Sequence, residues 1–506
     1  MPWTEYFPRR CSTDSLECVP LLVEALSNPP QAFYCRDESG EIGFAELRGR
    51  IAAIQSWLRT RGVRRGDRIA VMLPNSLPHV ALILALMLER IVWVPVNTRL
   101  KTPGVTHIIE HSSPTAFITD DPDIADAMRP LVRTFDTEVL QQGRLDGPVH
   151  VASGSPSDLF SIIYTSGTTG APKGVEFTHR MLRIATEAVL IVADVRPGDR
   201  MIVWEPLCHV GGAQLLMLPV LTRVQLHFVD RFSASGFLAC ASAHAITHAH
   251  YLGGVLDFLS KAPIDGLDLQ SLRVFWGAGA TQASWDYVER VFGAKLRECY
   301  GMTECSSFAT VNDDGTPMSI GKPLPWIRLS LLGPDGSEVS DGSDGEIVLE
   351  SAVDGAFMTG YHRDPEASAR ALRGGRLHTG DLARRRDGRL YFVGRKSDSM
   401  RVRGENVSAW EVERVFASHP GIQQVAAVGV PSPSGEQDIL LFVKPSSGSR
   451  IDLGRLHAWC SELLAPYQVP RYYRLVDSFA LTPSERIRKQ LLPRSLEGAF
   501  DARAGS

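Results

Sequence analysis

YTSGTTGAPKGV, residues 164–175, follows the apolar run 159–163 and has more influence on the interpretation of this chain than any other stretch. Its glycines carry no Cβ, so the backbone can turn tightly and come close to a ligand. The run also supplies hydroxyl groups and one ammonium group, which are donors that a polyphosphate needs. It is not a Walker A loop, because Gly174 stands where that loop requires Ser or Thr. The candidate phosphate-binding residues are Thr165, Ser166, Gly167, Thr168, Thr169, Gly170 and Lys173.

The composition is that of an ordinary globular protein. The 506 residues are 44% hydrophobic and 22% charged, and roughly two to four structural units are expected from this length. A net charge of −4 gives no reason to expect a nucleic-acid or membrane partner. The first ten residues lack the apolar region of a secretory signal, and Glu89 and Arg90 interrupt the most apolar window. We therefore predict a cytoplasmic protein; a homodimer stays open.

The eight cysteines show no CxxC spacing, which indicates reduced thiols rather than disulfides or a zinc site. Three histidines, His244, His248 and His250, lie close together in the sequence. No acidic or cysteine partner stands at a useful spacing from them for a metal site. We interpret them as packing groups or as the wall of a pocket.

The distribution of apolar runs predicts a doubly wound α/β body. Residues 68–73 and 91–96 read as buried parallel strands around a helix that Ser76 begins. Comparable apolar runs recur at 225–229, 247–250 and 274–276. From residue 327 the sequence changes to short strands with Gly/Asp turns. We predict an N-terminal domain over 1–394, with a β subdomain over about 327–394, and a small α+β lid domain over 395–506.

Further motifs follow the predicted strands. Tyr300-Gly-Met-Thr-Glu304 supplies an aromatic ring, a flexible glycine, a hydroxyl and a carboxylate. These groups can stack a base, contact a phosphate and hold Mg²⁺, although a surface loop with a buried Tyr also fits. Gly277-Ala-Gly-Ala280 follows another strand, and His378-Thr-Gly-Asp-Leu382 contains a carboxylate that can accept two vicinal hydroxyl groups.

In this order the motifs resemble those of the adenylate-forming superfamily: acyl-CoA synthetases, luciferases and the adenylation domains of peptide synthetases. The resemblance extends from about residue 20 to 490. The segment Arg403–Ser408 is similar to that of crotonobetaine/carnitine-CoA ligase. The resemblance implies MgATP as cosubstrate, with coenzyme A as the acceptor of the activated acid. It also implies a lid that rotates about Ser397, where a small residue tolerates large backbone changes.

The resemblance also implies a role for each matching residue. Tyr300 and Gly301 contact adenine, Thr303 contacts the α-phosphate, and Glu304 binds Mg²⁺. Lys173, the hydroxyl groups of the phosphate loop and Mg²⁺ on Glu304 hold charge that develops in the reaction. The remaining implied residues are Gly277, Ala278 and Gly279 beside adenine, Asp381 and Arg395 at the ribose, Gly404 at the pantetheine tunnel, and His209 at the acyl pocket.

One position departs from the superfamily pattern. Arg486 stands where a catalytic lysine is expected, and Glu485 replaces a flexible glycine. Arginine keeps the charge but presents a planar fork, so the exchange is not conservative. Three interpretations follow: Arg486 takes the role, Lys489 takes it, or the activated acid is not an ordinary carboxylate.

Three functions are therefore compared. The first is a ligase that activates a carboxylic acid as acyl-AMP and transfers it to coenzyme A. The second is an adenylate-forming enzyme with another acceptor, either an amide-forming ligase or a diazotase that activates nitrite for attack by an aryl amine. The third is a non-catalytic nucleotide-binding protein; the intact set Lys173, Thr303, Glu304 and Asp381 argues against it.

Overall fold

The structure is a computed structural model that describes residues 3–165, 172–402, 405–432, 437–481 and 486–503. Within these ranges the helices are α1 Val19–Ser27, α2 Phe44–Thr60, α3 Leu77–Leu88, α4 Thr102–Ser112, α5 Pro122–Met128, α6 Glu138–Gln142, α7 His179–Val192, α8 Val210–Ala213, α9 Leu218–Thr222, α10 Ala234–Ala243, α11 Gly253–Ser260, α12 Gln282–Phe292, α13 Pro365–Ala371, α14 Ala409–Ala417 and α15 Leu453–Ser461. In these ranges we find no helix with the length and apolarity to cross a lipid bilayer.

The strands of the first half of the chain are β1 Phe33–Asp37, β2 Gly40–Gly43, β3 Arg68–Met72, β4 Val92–Pro95, β5 Ala116–Thr119, β6 Thr134–Phe135, β7 Leu159–Thr165, β8 Lys173–Thr178, β9 Arg200–Val203, β10 Gln225–Phe228, β11 His248–Leu252, β12 Val274–Ala278 and β13 Lys295–Tyr300. Those that follow are β14 Thr310–Val311, β15 Lys322–Pro323, β16 Ile327–Leu332, β17 Asp344–Ser351, β18 Leu372–Arg373, β19 Arg376–Arg386, β20 Arg389–Arg395, β21 Ser399–Val402, β22 Glu405–Ser408, β23 Ile422–Pro431, β24 Gln437–Pro445, β25 Tyr472–Leu475 and β26 Phe500–Asp501.

The chain divides into two compact units. Of the described residues, those in 3–165, 172–329 and 349–377 form the first unit, and those in 330–348 and 378–503 form the second. The first unit contains a nine-stranded sheet, ordered β15-β14-β13-β12-β11-β9-β10-β1-β2, and a six-stranded sheet, ordered β6-β5-β3-β4-β7-β8. The predicted α/β class, with a larger sheet-rich N-terminal part and a smaller α+β C-terminal part, is confirmed.

The β3-α3-β4 segment shows why the six-stranded sheet forms. The sequence of both strands is almost continuously apolar, because helices cover both faces of a parallel sheet. Strand β3 pairs in parallel with β4, as the sequence predicts. Ser76 is the N-cap of α3, and its hydroxyl accepts the backbone N–H of His79 at 3.4 Å. The predicted βαβ unit is therefore present.

The nine-stranded sheet places several loops at one edge. Strands β1, β10, β9, β11, β12 and β13 run in parallel, whereas β2, β14 and β15 pair antiparallel at the two ends. Strand β10 lies on one side of β9 and β11 on the other, so the strand order reverses at β9. A reversal of this kind leaves a crevice outside the carboxyl ends of the strands.

The later strands form smaller sheets. Strands β16, β17, β19 and β18 pair in that order, and β20 also pairs with β19. A tight turn at Asp387-Gly388 connects β19 and β20, as predicted. In the second unit, β23, β24, β25 and β26 form a four-stranded sheet. Helices α14 and α15 contribute Val412, Phe416, Leu456 and Cys460 to a core on this sheet. The division at residue 394 stays a prediction.

A buried ion-pair network fixes the N-terminal segment of the first unit. Arg183 on α7 is fully buried, and its Nη1 lies 3.0 Å from Asp14 Oδ1. Its Nε also donates to Glu187 Oε1 at 3.0 Å. Burial by itself raises the pKa of Asp14, but hydrogen bonds from Arg183 and from backbone N–H groups, together with the Arg183 charge, lower it overall.

We expect Asp14→Asn to lower the free energy of unfolding by about 3 kcal/mol, because it leaves part of the buried Arg183 charge uncompensated. Urea unfolding at neutral pH measures the change. A carboxyl with a lowered folded-state pKa stabilises the fold above its unfolded pKa. The difference between wild type and variant should therefore shrink as the pH falls below about 4.

The control is Asp126→Asn. Asp126 pairs with Arg129 at 2.9 Å, but both side chains are mostly exposed, so its loss should change the unfolding free energy by less than about 0.5 kcal/mol. Equal unfolding midpoints for Asp14→Asn and wild type would show that the buried network does not stabilise the fold.

Candidate functional site

The glycine-rich stretch connects two antiparallel strands. Strands β7 and β8 pair with Tyr164 opposite Gly174 and Thr165 opposite Lys173. The predicted residues Ser166, Gly167, Thr168, Thr169 and Gly170 lie outside the described residues. A Cβ on Gly174 would fall 2.7 Å from Ile162 Cγ2, so close packing requires glycine there. Lys173 thus starts a strand whose position the hairpin fixes.

Tyr361 is a common neighbour of two predicted residues. Its hydroxyl donates to Glu304 Oε1 at 2.8 Å, and its ring centroid lies 5.0 Å from Lys173 Nζ. The backbone fixes Tyr361 as well, because His362 N donates to Gly174 O at 2.7 Å and Tyr361 pairs with Val175. The structure therefore brings the predicted phosphate-binding lysine and the predicted metal-binding carboxylate to one phenol. Tyr361 was not predicted from the sequence, because it belongs to no recognised motif.

The turn after β13 admits only glycine at position 301, directly after the strand. A Cβ on Gly301 would lie 1.7 Å from the carbonyl oxygen of Ser307. Tyr300 is 7% exposed, and its backbone N–H donates to Thr310 Oγ1 at 3.1 Å. Thr303 and Glu304 follow on a short 3-10 helix and are both buried. Tyr300, Gly301, Thr303 and Glu304 are thus held in one compact turn at the carboxyl end of β13.

A buried carboxylate organises the neighbouring loop. Glu298 on β13 accepts the backbone N–H of Gly279 at 2.5 Å and that of Ala280 at 3.3 Å, and it also accepts the Tyr251 hydroxyl. Gly277 approaches β11 so closely that a Cβ would lie 1.9 Å from Tyr251 O. Ala278 lies between these fixed points, at the end of β12. The predicted Gly277–Gly279 loop is therefore held beside the Tyr300 turn, and Glu298 is a contributor that the sequence analysis missed.

His209 lies in the loop that follows β9. Its Nε2 accepts the side-chain amide N–H of Asn97 at 3.2 Å, and Arg99 N donates to Asn97 Oδ1, which fixes the amide orientation. Asn75 binds the same loop at two points, through Glu205 O and Leu207 N, both at 2.9 Å. Two asparagines thus hold the loop of His209 at the carboxyl edge of the sheet.

The three clustered histidines have different partners. His248 Nε2 bonds Ala193 O at 2.9 Å, and burial lowers the pKa of His248 to about 4. His244 Nδ1 lies 2.9 Å from Arg36 Nη1. His250 Nδ1 lies 3.2 Å from Glu205 Oε2. His248 and His244 are packing groups, which is one of the two interpretations, and His250 is the central residue of β11.

In the second unit, Asp381 and Arg395 stand opposite each other on β19 and β20. Arg395 Nε lies 3.5 Å from Asp381 Oδ1, and Asp381 is 6% exposed. Glu346 contacts the residues next to this pair in the sequence. Its Oε1 accepts the backbone N–H of Gly380 at 3.2 Å, and its Oε2 lies 3.0 Å from Lys396 Nζ. Asp381 and Arg395, which were both predicted to contact the ribose, thus lie opposite each other, and Glu346 was not predicted from the sequence.

The segment around Arg486 is also in the second unit. Arg486 is exposed. Lys489 Nζ lies 2.7 Å from Glu413 Oε1 and 3.5 Å from Asp398 Oδ2. Burial raises the pKa of Glu413, and the nearby Lys489 charge opposes that shift. Gly404 is outside the described residues, and the hinge role of Ser397 stays a prediction.

The chain matches known proteins along most of its length. Residues 23–362 match the family described as AMP-binding enzyme, and residues 411–486 match its C-terminal domain. Feruloyl-CoA synthase of Amycolatopsis sp. is 32% identical over 91% of this chain and 95% of that protein. Sulfoacetate–CoA ligase of Cupriavidus necator is 29% identical over 93% and 96%.

Solved structures agree on the fold. o-Succinylbenzoate coenzyme A synthetase of Bacillus subtilis, in complex with ATP and magnesium, has a TM-score of 0.86 and 25% identity, covering 93% of this chain and 98% of that chain. An anthranilate CoA ligase in complex with anthranoyl-AMP has a TM-score of 0.86 and 22% identity, covering 94% and 96%. With the family match over residues 23–362, the 32% identity to a full-length relative and this fold, the chain belongs to the family of AMP-binding enzymes.

Proposed function

We propose that the protein is an ATP-dependent, AMP-forming ligase that activates a carboxylic acid as an acyl adenylate and transfers it to coenzyme A. The observation that carries this proposal is the meeting of Lys173 and Glu304 at Tyr361 in a chain of this family. The named relatives support coenzyme A as the acceptor, since they are CoA synthases and ligases. The solved neighbours in complex with ATP, magnesium or an acyl-AMP support the nucleotide step.

The reaction has two displacements. A carboxylate oxygen attacks the α-phosphorus of ATP, and the bond to the leaving pyrophosphate breaks. The thiol of coenzyme A then loses its proton and attacks the acyl carbon, and the bond to the AMP oxygen breaks. The ammonium of Lys173 stabilises negative charge on the phosphates, and the buried turn of Thr303 holds its hydroxyl in place for the α-phosphate.

Glu304 fits a magnesium ion that arrives with the nucleotide. Its carboxylate is 5% exposed, and the Tyr361 hydroxyl orients one oxygen. Mg²⁺ in nucleotide sites is commonly bound by one or two carboxylates together with phosphate oxygens. When bound, the ion neutralises charge on the polyphosphate. Tyr361 fixes the carboxylate that would hold it.

In the second unit, Asp381 would accept the ribose hydroxyl groups, because its carboxylate is fixed by Arg395 and by the loop that Glu346 supports. Arg486 is our first choice for the cation at the attacking carboxylate. Lys489 already forms a short ion pair with Glu413, which a reach toward another ligand would have to break. We also propose that the lid rotates about Ser397 between the two steps and that Gly404 then contacts the pantetheine of coenzyme A.

We expect AMP, pyrophosphate and a CoA thioester when the protein is given MgATP, coenzyme A and a panel of aromatic and aliphatic acids. Mass spectrometry of the thioester identifies the acid. A second arm offers nitrite with aryl amines in place of acid and coenzyme A. AMP formed only in this second arm would show that the protein is a diazotase and not a CoA ligase. Nucleotide binding without AMP formation in either arm would indicate a non-catalytic protein.

Variants of the proposed residues test their roles in the same assay. Lys173→Ala and Glu304→Gln should each slow AMP formation by about 100-fold or more, because each removes charge stabilisation at the phosphates. Tyr361→Phe keeps the ring and removes only the hydrogen bond to Glu304, so a loss of about tenfold is expected. Glu366→Gln, at an exposed ion pair, is the matched control and should behave as wild type. Wild-type rates in Lys173→Ala or Glu304→Gln with normal melting temperatures would remove these assignments.

Arg486→Lys restores the residue that the superfamily pattern has at this position. We expect adenylation of carboxylates to be preserved or raised, since the positive charge stays and becomes more compact. Steady-state AMP release measures it, with Arg488→Lys as the matched control at a neighbouring exposed arginine. A collapse of the rate in Arg486→Lys alone would show that the planar guanidinium is tuned to a different acid.

A further inference from the structure

Glu205 and His250 meet where the strand order of the nine-stranded sheet reverses. Strand β9 ends at Val203, and Glu205 follows it by two residues, while His250 is on the adjacent strand β11. This is the place where an open α/β sheet leaves a crevice for a ligand. The loop of Gly277 and the turn of Tyr300 continue the same edge on β12 and β13.

The two side chains face each other without forming a hydrogen bond. His250 Nδ1 lies 3.2 Å from Glu205 Oε2, and their side chains are 9% and 13% exposed. Both atoms are buried, and neither has a hydrogen-bond partner among the residues that the structure describes. Burial lowers the pKa of His250, which favours the neutral imidazole. A buried charged oxygen without a donor is costly, so a ligand that supplies one gains binding energy.

The surrounding residues fix the pair in this arrangement. A Cβ on Gly211 would lie 1.9 Å from Glu205 Oε2, so any larger residue there would displace the carboxylate from this position. Trp204 Nε1 donates to His250 O at 2.7 Å, which joins the two strands at this point. Asn75 holds Glu205 O at 2.9 Å. The acceptor is therefore in place before any ligand binds, which lowers the cost of binding.

Aromatic rings pack against the His250 side of the pair. The His250 ring centroid lies 4.4 Å from that of Trp276, and the His250 and Trp204 rings are stacked with centroids 6.0 Å apart. Trp276 directly precedes Gly277 and makes an edge contact with Phe308 at 5.7 Å. Flat apolar walls of this kind suit a planar aromatic ligand. The site thus combines aromatic rings with one buried acceptor, Glu205 Oε2, that has no hydrogen-bond donor among the described residues.

We propose that Glu205 and His250 are specificity-determining residues that select an aryl acid with an uncharged hydrogen-bond donor on its ring, a phenolic hydroxyl. The O–H donates to Glu205 Oε2, and the ring of His250 lies beside that oxygen. This proposal rests on the proposed ligase function and names the class of acid. A ring amine offers the same donor chemistry and is distinguished by the test.

The experiment compares kcat/KM for thioester formation with cinnamate and its 4-hydroxy, 4-methoxy and 4-amino derivatives. A methoxy group keeps the oxygen on the ring but cannot donate and is larger by one methyl group, whereas unsubstituted cinnamate cannot donate and is smaller. Wild type should favour the 4-hydroxy acid over the 4-methoxy acid and cinnamate by at least about tenfold. A preference for the 4-amino acid over the 4-hydroxy acid would assign the site to amines and overturn the choice of a phenol.

Two variants change the acceptor in independent ways. Glu205→Gln replaces the charged acceptor, and Gly211→Ala displaces the carboxylate by filling its space. Each should reduce the 4-hydroxy to 4-methoxy ratio by about tenfold, whereas Glu366→Gln should keep the wild-type ratio. Melting temperatures confirm that both variants fold.

The outcomes separate this proposal from the one on which it rests. Thioester formation with equal kcat/KM for the 4-hydroxy and 4-methoxy acids overturns the specificity assignment alone. An unchanged ratio in folded Glu205→Gln and Gly211→Ala does the same. Absence of AMP and thioester with every acid overturns the ligase function, and this assignment with it.

Discussion

The parallel alignment of β9, β11, β12 and β13 is the constraint on which the candidate site of the first unit depends. Parallel strands bring their carboxyl ends to one edge of a sheet, so the segments that follow them meet there although they are far apart in the sequence. The loops of His209, Gly277 and Tyr300 are brought to one edge in this way. The strand order reverses at β9, and Glu205 and His250 stand at that reversal.

Close backbone contact keeps these loops in place. A Cβ would fall 1.9 Å from Tyr251 O at Gly277 and 1.7 Å from Ser307 O at Gly301. Buried polar side chains then fix the backbone further, and Glu298 is the clearest case. Preorganised groups of this kind need little rearrangement when charge develops during a reaction, which is how an adenylating enzyme can stabilise a transferring phosphate.

Local signals in the sequence predicted much of the fold and part of the site. Continuous apolar runs and the Ser76 cap predicted the β3-α3-β4 unit, because both signals act within one element. Tyr361, Glu298 and Glu205 were missed as site residues, and His250 was named only as a packing group or part of a pocket wall. Each acts through partners that only the tertiary fold brings near, and no periodicity or motif marks such partners. Glu346 beside Asp381 was missed for the same reason.

The central claim is that a carboxylate oxygen of the acid attacks the α-phosphorus of ATP. The most direct measurement is the transfer of ¹⁸O from an aryl acid labelled in both carboxylate oxygens, with mass spectrometry of the nucleotide and phosphate products. The account predicts one ¹⁸O atom in each AMP and none in pyrophosphate, with the second ¹⁸O retained in the thioester carbonyl. Unlabelled AMP, or ¹⁸O in inorganic phosphate with ADP as the nucleotide product, would contradict it.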